Sequence, residues 1–189
     1  MKDITECCIE SAFKMSSEAT NLAGEQGQGG FVVPVEVKFI NNTIGHGVFA
    51  VDPIKKGTLL WTSKCVTSHT IEEATAILEA LSPMEKKIWL RQTFVLSADP
   101  LHICSNPTDP GRYMNHSFNP NSGYASEEMP SVALRDVAAG EQLTCDYSGL
   151  GSPEWYQNLC ITVGCMSTAD VVAFAKNQEG EVCKVLNLD

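Results

Sequence analysis

The chain has 189 residues, 43% hydrophobic and 19% charged, which suits one globular domain with a real core. Its net charge of −10 and pI near 4.8 argue against direct nucleic-acid binding and favour a basic peptide partner, or serve solubility alone. The first twenty residues lack an apolar signal core, no stretch approaches the ~20 apolar residues of a membrane span, and the eight cysteines read as free or metal-binding thiols; together these predict an intracellular protein, nuclear or cytoplasmic, away from the membrane.

Residues 2–22 suit a short amphipathic helix, and Gly24 to Gly30 (G-E-Q-G-Q-G-G) reads as a flexible linker. Phe31 to Phe39 is a β-branched, alternating strand, with Pro34 placing it at an edge or start. Gly45-His46-Gly47 reads as a turn and Val48 to Val51 as a second strand. Turn signals at Asp52-Pro53 and Lys56-Gly57 precede a third strand, Thr58 to Thr62. Thr70 and Glu73 form a capping box that opens a helix to about Leu81. Ser82 and Glu85 form another, with Pro83 at the first helical position, for a helix to about Gln92. Short strands follow at Thr93–Leu96, Leu101–Cys104, Ser131–Arg135 and Gln142–Thr144. This pattern is that of a mainly β, α+β domain with one helical insertion.

Three blocks then stand out: G-H-G-V-F-A from Gly45, R-Y-M-N-H-S-F-N-P-N from Arg112, and G-E-Q-L-T-C-D-Y ending at Tyr147. Taken singly, they read as a hairpin turn, an Asx-turn capped by Ser117, and a half-buried tyrosine closing a strand. In this order and at this spacing they resemble the signature blocks of the SET-domain family of lysine methyltransferases. The resemblance runs from Phe31 to Gly151, with a weaker echo to Phe174. It implies a fold of small curled sheets with a threaded pseudoknot and a helical insertion near 70–92. It divides the chain into an N-terminal segment (1–30), the SET domain (31–152) and a degenerate C-terminal segment (153–189).

The resemblance also implies chemistry. The methyl donor S-adenosylmethionine would meet Gly45, His46, Gly47 and Asn115 at its methionine portion and the His116 main chain at its adenine. Arg112 and Tyr113 stand where the family often has Arg-Phe, although Asp109-Pro110-Gly111 replaces the usual Gly-Asn before them. Tyr147 is the expected catalytic tyrosine, its hydroxyl beside the reacting methyl. Tyr113, Tyr124, Trp155 and Tyr156 are candidate channel aromatics or plain core residues; of these Tyr124 and Trp155, with Cys145, are assigned to the substrate channel. Cys145 occupies a position often held by Phe or Tyr. The partner implied is a lysine in a basic protein segment, a histone tail being the family's commonest case.

Many family members follow the tyrosine with C-x-C-x-x-x-x-C and take a fourth thiolate from the residue after Asn-His-Ser, forming a zinc site. Here Cys160 and Cys165 match two positions, but Asn158 and Phe118 occupy the others. No zinc is expected unless Cys183 or a histidine is recruited. Residues Ala169 to Lys176 could instead pack as a short helix over the channel. The rival to an enzyme is a catalytically silent SET-like module that binds a peptide or partner.

Overall fold

The computed structural model describes residues 30–124 and 131–178. The helix expected over 2–22, most of the linker, and Cys183 lie outside the described residues. Among the described residues, twelve short strands form three four-stranded sheets.

The first sheet takes strands β1 (Gly30–Phe31), β4 (Leu59–Thr62), β9 (Ser122–Tyr124) and β10 (Ser131–Ala133), in the order β1-β4-β10-β9. The second takes β2 (Val35–Asn41), β3 (Gly45–Ala50), β8 (Asn115–His116) and β11 (Gln142–Cys145), in the order β2-β3-β11-β8. The third takes β5 (Thr67–Thr70), β6 (Thr93–Leu96), β7 (Asp99–Ser105) and β12 (Leu150–Gly151), in the order β12-β6-β7-β5.

The expected strand from Phe31 to Phe39 is therefore two strands. Phe31 pairs with Trp61 in one sheet, while Val35 pairs with Ala50 in another. The handover falls at Pro34, which has no N–H to give a ladder. The glycine pair is also corrected: Gly45 to Gly47 lie within β3, not in a turn. The turn precedes them. There the Asn41 side-chain oxygen accepts from the N–H groups of Thr43 (2.9 Å) and Ile44 (2.8 Å), so asparagine closes the hairpin and the glycines are free for the strand.

Four helices are described: α1 (Ile71–Ala80), α2 (Pro83–Arg91), α3 (Glu154–Val163) and α4 (Thr168–Asn177). Both expected capping boxes form, Thr70 with Glu73 and Ser82 with Glu85. Among the described residues no single helix is long and apolar enough to cross a membrane.

Two apolar clusters divide the molecule. Phe31, Val35, Val48, Ile54, Leu60 and Leu143 hold the first two sheets together. Ala74, Leu78, Leu90, Val95, Ile103, Tyr156 and Cys160 join the helical insertion, the third sheet and α3. Complete burial of a Leu or Val contributes about 1.5–3 kcal/mol, so each cluster is a core in its own right. Between them runs the only parallel pairing among the described strands, β8 beside β11, with Asn115 opposite Thr144 and His116 opposite Cys145. It threads the Asn-His segment against a strand that arrives much later in the chain.

Candidate active site

Asn115 and His116 are both fully buried on β8. The Asn115 amide donates to the His46 carbonyl (3.0 Å), which binds the second block to the first. A Cβ at Gly47 would lie 2.6 Å from Gln142 Nε2, 2.8 Å from Ile40 Cδ1 and 3.1 Å from Asn115 Nδ2, so any larger residue would force these side-chain ends to shift. The glycine serves close packing of side chains rather than a turn. Around it sit two buried polar atoms with no protein partner, the Asn115 Oδ1 acceptor and the Gln142 Nε2 donor. Such atoms cost about 1–3 kcal/mol each when left unsatisfied, and they mark where a polar ligand belongs.

His46 meets the Phe39 ring edge-on (5.6 Å between ring centroids) and the Tyr113 ring at a tilt (5.5 Å). Partial burial, then nearby Arg91, hold its pKa below the usual histidine value, so it is neutral. Arg112 and Tyr113 close a 3-10 turn over Pro110–Tyr113. The Arg112 guanidinium lies over the Tyr113 ring (4.9 Å) and donates to the Pro107 carbonyl. Asp109, the departure from the family pattern, organises this loop. It accepts from the Phe31 N–H (2.9 Å), Trp61 Nε1 (2.8 Å) and the Gly111 N–H (2.7 Å).

His116 and Tyr147 interlock. The Tyr147 N–H donates to His116 Nδ1 (3.0 Å), which fixes the proton on Nε2. Desolvation lowers the His116 pKa, opposed by Asp146. The Asp146 carboxylate stands 3.6 Å from the same Nδ1, but a neutral ring already accepting there makes no ion pair with it. The Tyr147 hydroxyl donates to the Met114 carbonyl, and burial raises its pKa well above the usual value. The phenol therefore stays protonated and is no base. Donating its one proton to Met114 leaves its oxygen lone pairs for other contacts.

The third block is tied to the second through Asn121. Its amide donates to the Gln142 carbonyl (2.8 Å) and accepts from the Thr144 N–H (2.9 Å), while Ser122 Oγ donates to the Thr144 carbonyl (2.9 Å). Asn121 is 1% exposed, so these bonds are shielded from water.

Tyr147 also lines a cavity of about 390 Å³. Its walls are mainly apolar, from Phe94, Leu90, Met114, Leu134, Leu150 and Tyr156, with Cys145 and Tyr124 at Tyr147's side and Arg91 and Arg112 as its cations. Tyr124 is 51% exposed, and its phenol pKa is pushed up to about 12, by desolvation first and then by the neighbouring Cys145 and Cys104. The structure thus brings Tyr124, Cys145, Arg112 and Tyr147 to one cavity. Gly45, His46, Gly47, Asn115 and His116 do not line it, and of these His116 touches Tyr147. Trp155 is also absent from its walls: the indole donates to the Pro100 carbonyl (2.9 Å) and packs on the second core. Its neighbour Tyr156 turns inward instead, as adjacent residues on a helix must face different ways. The segment expected at 169–176 is α4, and its Thr168 and Val171 complete the wall.

Sequence reasoning missed α3 and three lining residues, Leu90 and Arg91 at the end of α2 and Phe94 on β6. The only signal of Leu90 and Phe94 was apolar patterning, which also fits plain core, and Arg91 carried none. At the two non-cysteine positions of the zinc pattern, Phe118 packs edge-on against His116 (4.4 Å between centroids), and Asn158 lies exposed on α3. Among the described residues no three His, Cys, Asp or Glu side chains converge as metal ligands.

The family model of the SET domain matches residues 45–148, more than half of the chain. Solved structures similar to the chain include ctPRC2 in an autoinhibited conformation bound to S-adenosylmethionine, at 19% identity and a TM-score of 0.49, covering 68% of this chain and 16% of that one. The Neurospora SET domain protein DIM-5, a histone lysine methyltransferase, is 23% identical with a TM-score of 0.42, covering 66% and 55%. The methyltransferase domain of human histone-lysine N-methyltransferase SETMAR is 20% identical with a TM-score of 0.45, covering 64% and 46%. The chain therefore spans from about a sixth to about half the length of these relatives. No curated protein matches it in sequence.

Proposed function

The chain belongs to the SET-domain family, and we propose that it is a protein-lysine N-methyltransferase that uses S-adenosylmethionine. The observation that carries this reading is the position of Tyr147. Its N–H is held by His116, its hydroxyl by Met114, and its ring forms part of the cavity wall. It therefore joins the buried polar network around Asn115 and His116 to the apolar cavity.

The donor fits the polar side. Asn115 Oδ1 and Gln142 Nε2 await partners there, and Arg91, which lines the neighbouring cavity and lies near enough to lower the His46 pKa, is a cation suited to a carboxylate. When bound, S-adenosylmethionine supplies a methyl group on a positively charged sulfur, an electrophile that needs a neutral amine and alignment. The chain's own residues would provide both. A free lysine has a pKa of ~10.4 and is protonated at neutral pH. The apolar walls of Phe94, Leu150 and Tyr156 disfavour the charged ammonium, so the amine would enter neutral. Tyr124 and Tyr147 would hold it in line, and orientation of this kind supplies much of a bimolecular barrier. The Tyr147 oxygen, its proton given to Met114, would accept a weak C–H contact from the methyl. No general base is needed, and neutral buried His116 is a scaffold rather than an acid or base.

The substrate class follows from charge. A chain of net charge −10 would attract a basic lysine-bearing segment by steering, a histone tail being one such segment. Two thiols of the family's zinc set remain, and we read the C-terminal segment as metal-free. The test is transfer of labelled methyl from S-adenosylmethionine to a broad protein and peptide array. Labelled lysine in a basic context supports the reading. Donor binding without any transfer would replace it with the silent binding module.

A further inference from the structure

Helix α3 ends in an arrangement that brings two cysteines together. Gly164 adopts a left-handed conformation (φ 74°) and its N–H donates to the Ile161 carbonyl (3.1 Å). The next N–H, that of Cys165, reaches back to the Cys160 carbonyl (2.9 Å). These two bonds define a Schellman cap, whose geometry makes the side chains at its first and last positions meet. Here both are cysteines. Cys160 is completely buried and packs in the second core, and Cys165, half-buried, packs against the same cluster.

Their surroundings make the two thiols unequal. Cys160 is fully buried while Cys165 is partly exposed, so an oxidant from solvent reaches the Cys165 sulfur first. The Lys87 ammonium sits over the cap, 3.7 Å from where a Gly164 side chain would begin. A partly exposed thiol beneath a cation, with a fully buried thiol at the other end of the same cap, is the arrangement of an attacking and a resolving cysteine.

We propose that Cys160 and Cys165 form a redox pair that closes a reversible disulfide across the α3 cap when a peroxide oxidises Cys165. The Cys165 sulfur attacks a peroxide oxygen, the O–O bond breaks, and hydroxide leaves. Sulfur is oxidised by two electrons to sulfenic acid as peroxide is reduced. The Cys160 sulfur then attacks Cys165, the S–O bond breaks, and the departing hydroxide leaves as water with the Cys160 proton. A dithiol reductant reverses the result. The pair stands where the metal pattern has lost its other two ligands, so both thiols are available for this chemistry. Tyr156 and Arg91 flank both the pair and the cavity wall.

The experiment uses the full chain, reduced and then treated with hydrogen peroxide near stoichiometry. Peptide mapping under non-reducing conditions should find Cys160 joined to Cys165, with the bond lost in dithiothreitol. Cys160→Ser should instead accumulate sulfenic acid at Cys165, trapped by dimedone, where the wild type shows little. Lys87→Gln, a substitution away from the core, should slow oxidation of Cys165 several-fold. The proposal is overturned by no Cys160–Cys165 bond in the wild type, by oxidation of Cys165 no faster than that of Cys104 or Cys145 in the same chain, or by an unchanged rate in Lys87→Gln.

Discussion

The segment that carries the three blocks and the segment that follows Tyr147 solve the same problem by different physics. In the first, buried amides cross-link strands far apart in sequence: Asn115 to His46, Asn121 to Gln142 and Thr144, and His116 to Tyr147. In the second, α3 and α4 are held by the Tyr156 and Cys160 core contacts, the Schellman cap and the Ser167–Asp170 capping box. A polar network is unforgiving, because each lost partner strands a buried group. Apolar packing tolerates exchange of residues that keep volume.

The sharpest way to break this contrast is at its hinge. Tyr147→Phe keeps the ring and its place against His116 (5.5 Å between centroids) but removes the oxygen. Methyl transfer should fall by ~2.7–4 kcal/mol of transition-state stabilisation, about a hundredfold to a thousandfold. Donor affinity should change little. Single-turnover transfer of labelled methyl measures it, and equal rates would take Tyr147 out of the mechanism.

A smaller effect is expected within the polar network. Asn115→Ala removes the bond to His46 and the open Oδ1 acceptor together. Affinity for S-adenosylmethionine and its demethylated product should drop by roughly 1.5–3 kcal/mol, the scale of a hydrogen bond to a charged group. Calorimetry reads it, and unchanged affinity would remove the donor from this pocket.

The network also predicts a response to acid. His46, His69 and His116 all have pKa values held below 6.5, in each case chiefly by burial. The unfolded chain therefore binds protons first, and stability falls as pH drops from 6.5 toward the lowered native values. Above 6.5 these groups should add no slope. For His116 the loss has a structural sign, since protonating Nδ1 ends its bond from the Tyr147 N–H. Melting temperatures across this range test it, with His116→Asn giving a shallower slope. A flat profile between pH 7 and 5 would be inconsistent with three histidines held neutral by the fold.

What could be read from sequence follows the same division. The two insertion helices were legible because their capping boxes are local, Thr70 with Glu73 and Ser82 with Glu85. The blocks were legible as blocks, but their architecture was not. Asn115–His116 is a two-residue strand whose partner lies almost thirty residues on, and no local pattern encodes that pairing. Gly45–Gly47 looked like a turn because nothing local reveals that Gln142 and Asn115 crowd it. Helix α3 was missed because Pro153 gives it no side-chain cap and its cysteines drew attention to metal. Trp155 and Tyr156 were indistinguishable as channel residues until the helix phase separated them.

The smallest expected effect is none at all, and it tests the second half of the contrast. If apolar packing and caps hold α3 and α4, removing metal should leave the chain unchanged. Phe118 sits edge-on to the buried His116 ring where a thiolate would stand, and Asn158 faces outward from α3. Two thiolates cannot close a tetrahedral zinc site, and structural zinc contributes folding free energy outright where it is bound. A strong chelator should therefore shift neither the melting temperature nor donor affinity, and elemental analysis should find zinc well below one per chain. One tightly held zinc would overturn this. It would mean that Cys160 and Cys165 recruit further ligands such as Cys183, and that the C-terminal segment depends on coordination after all.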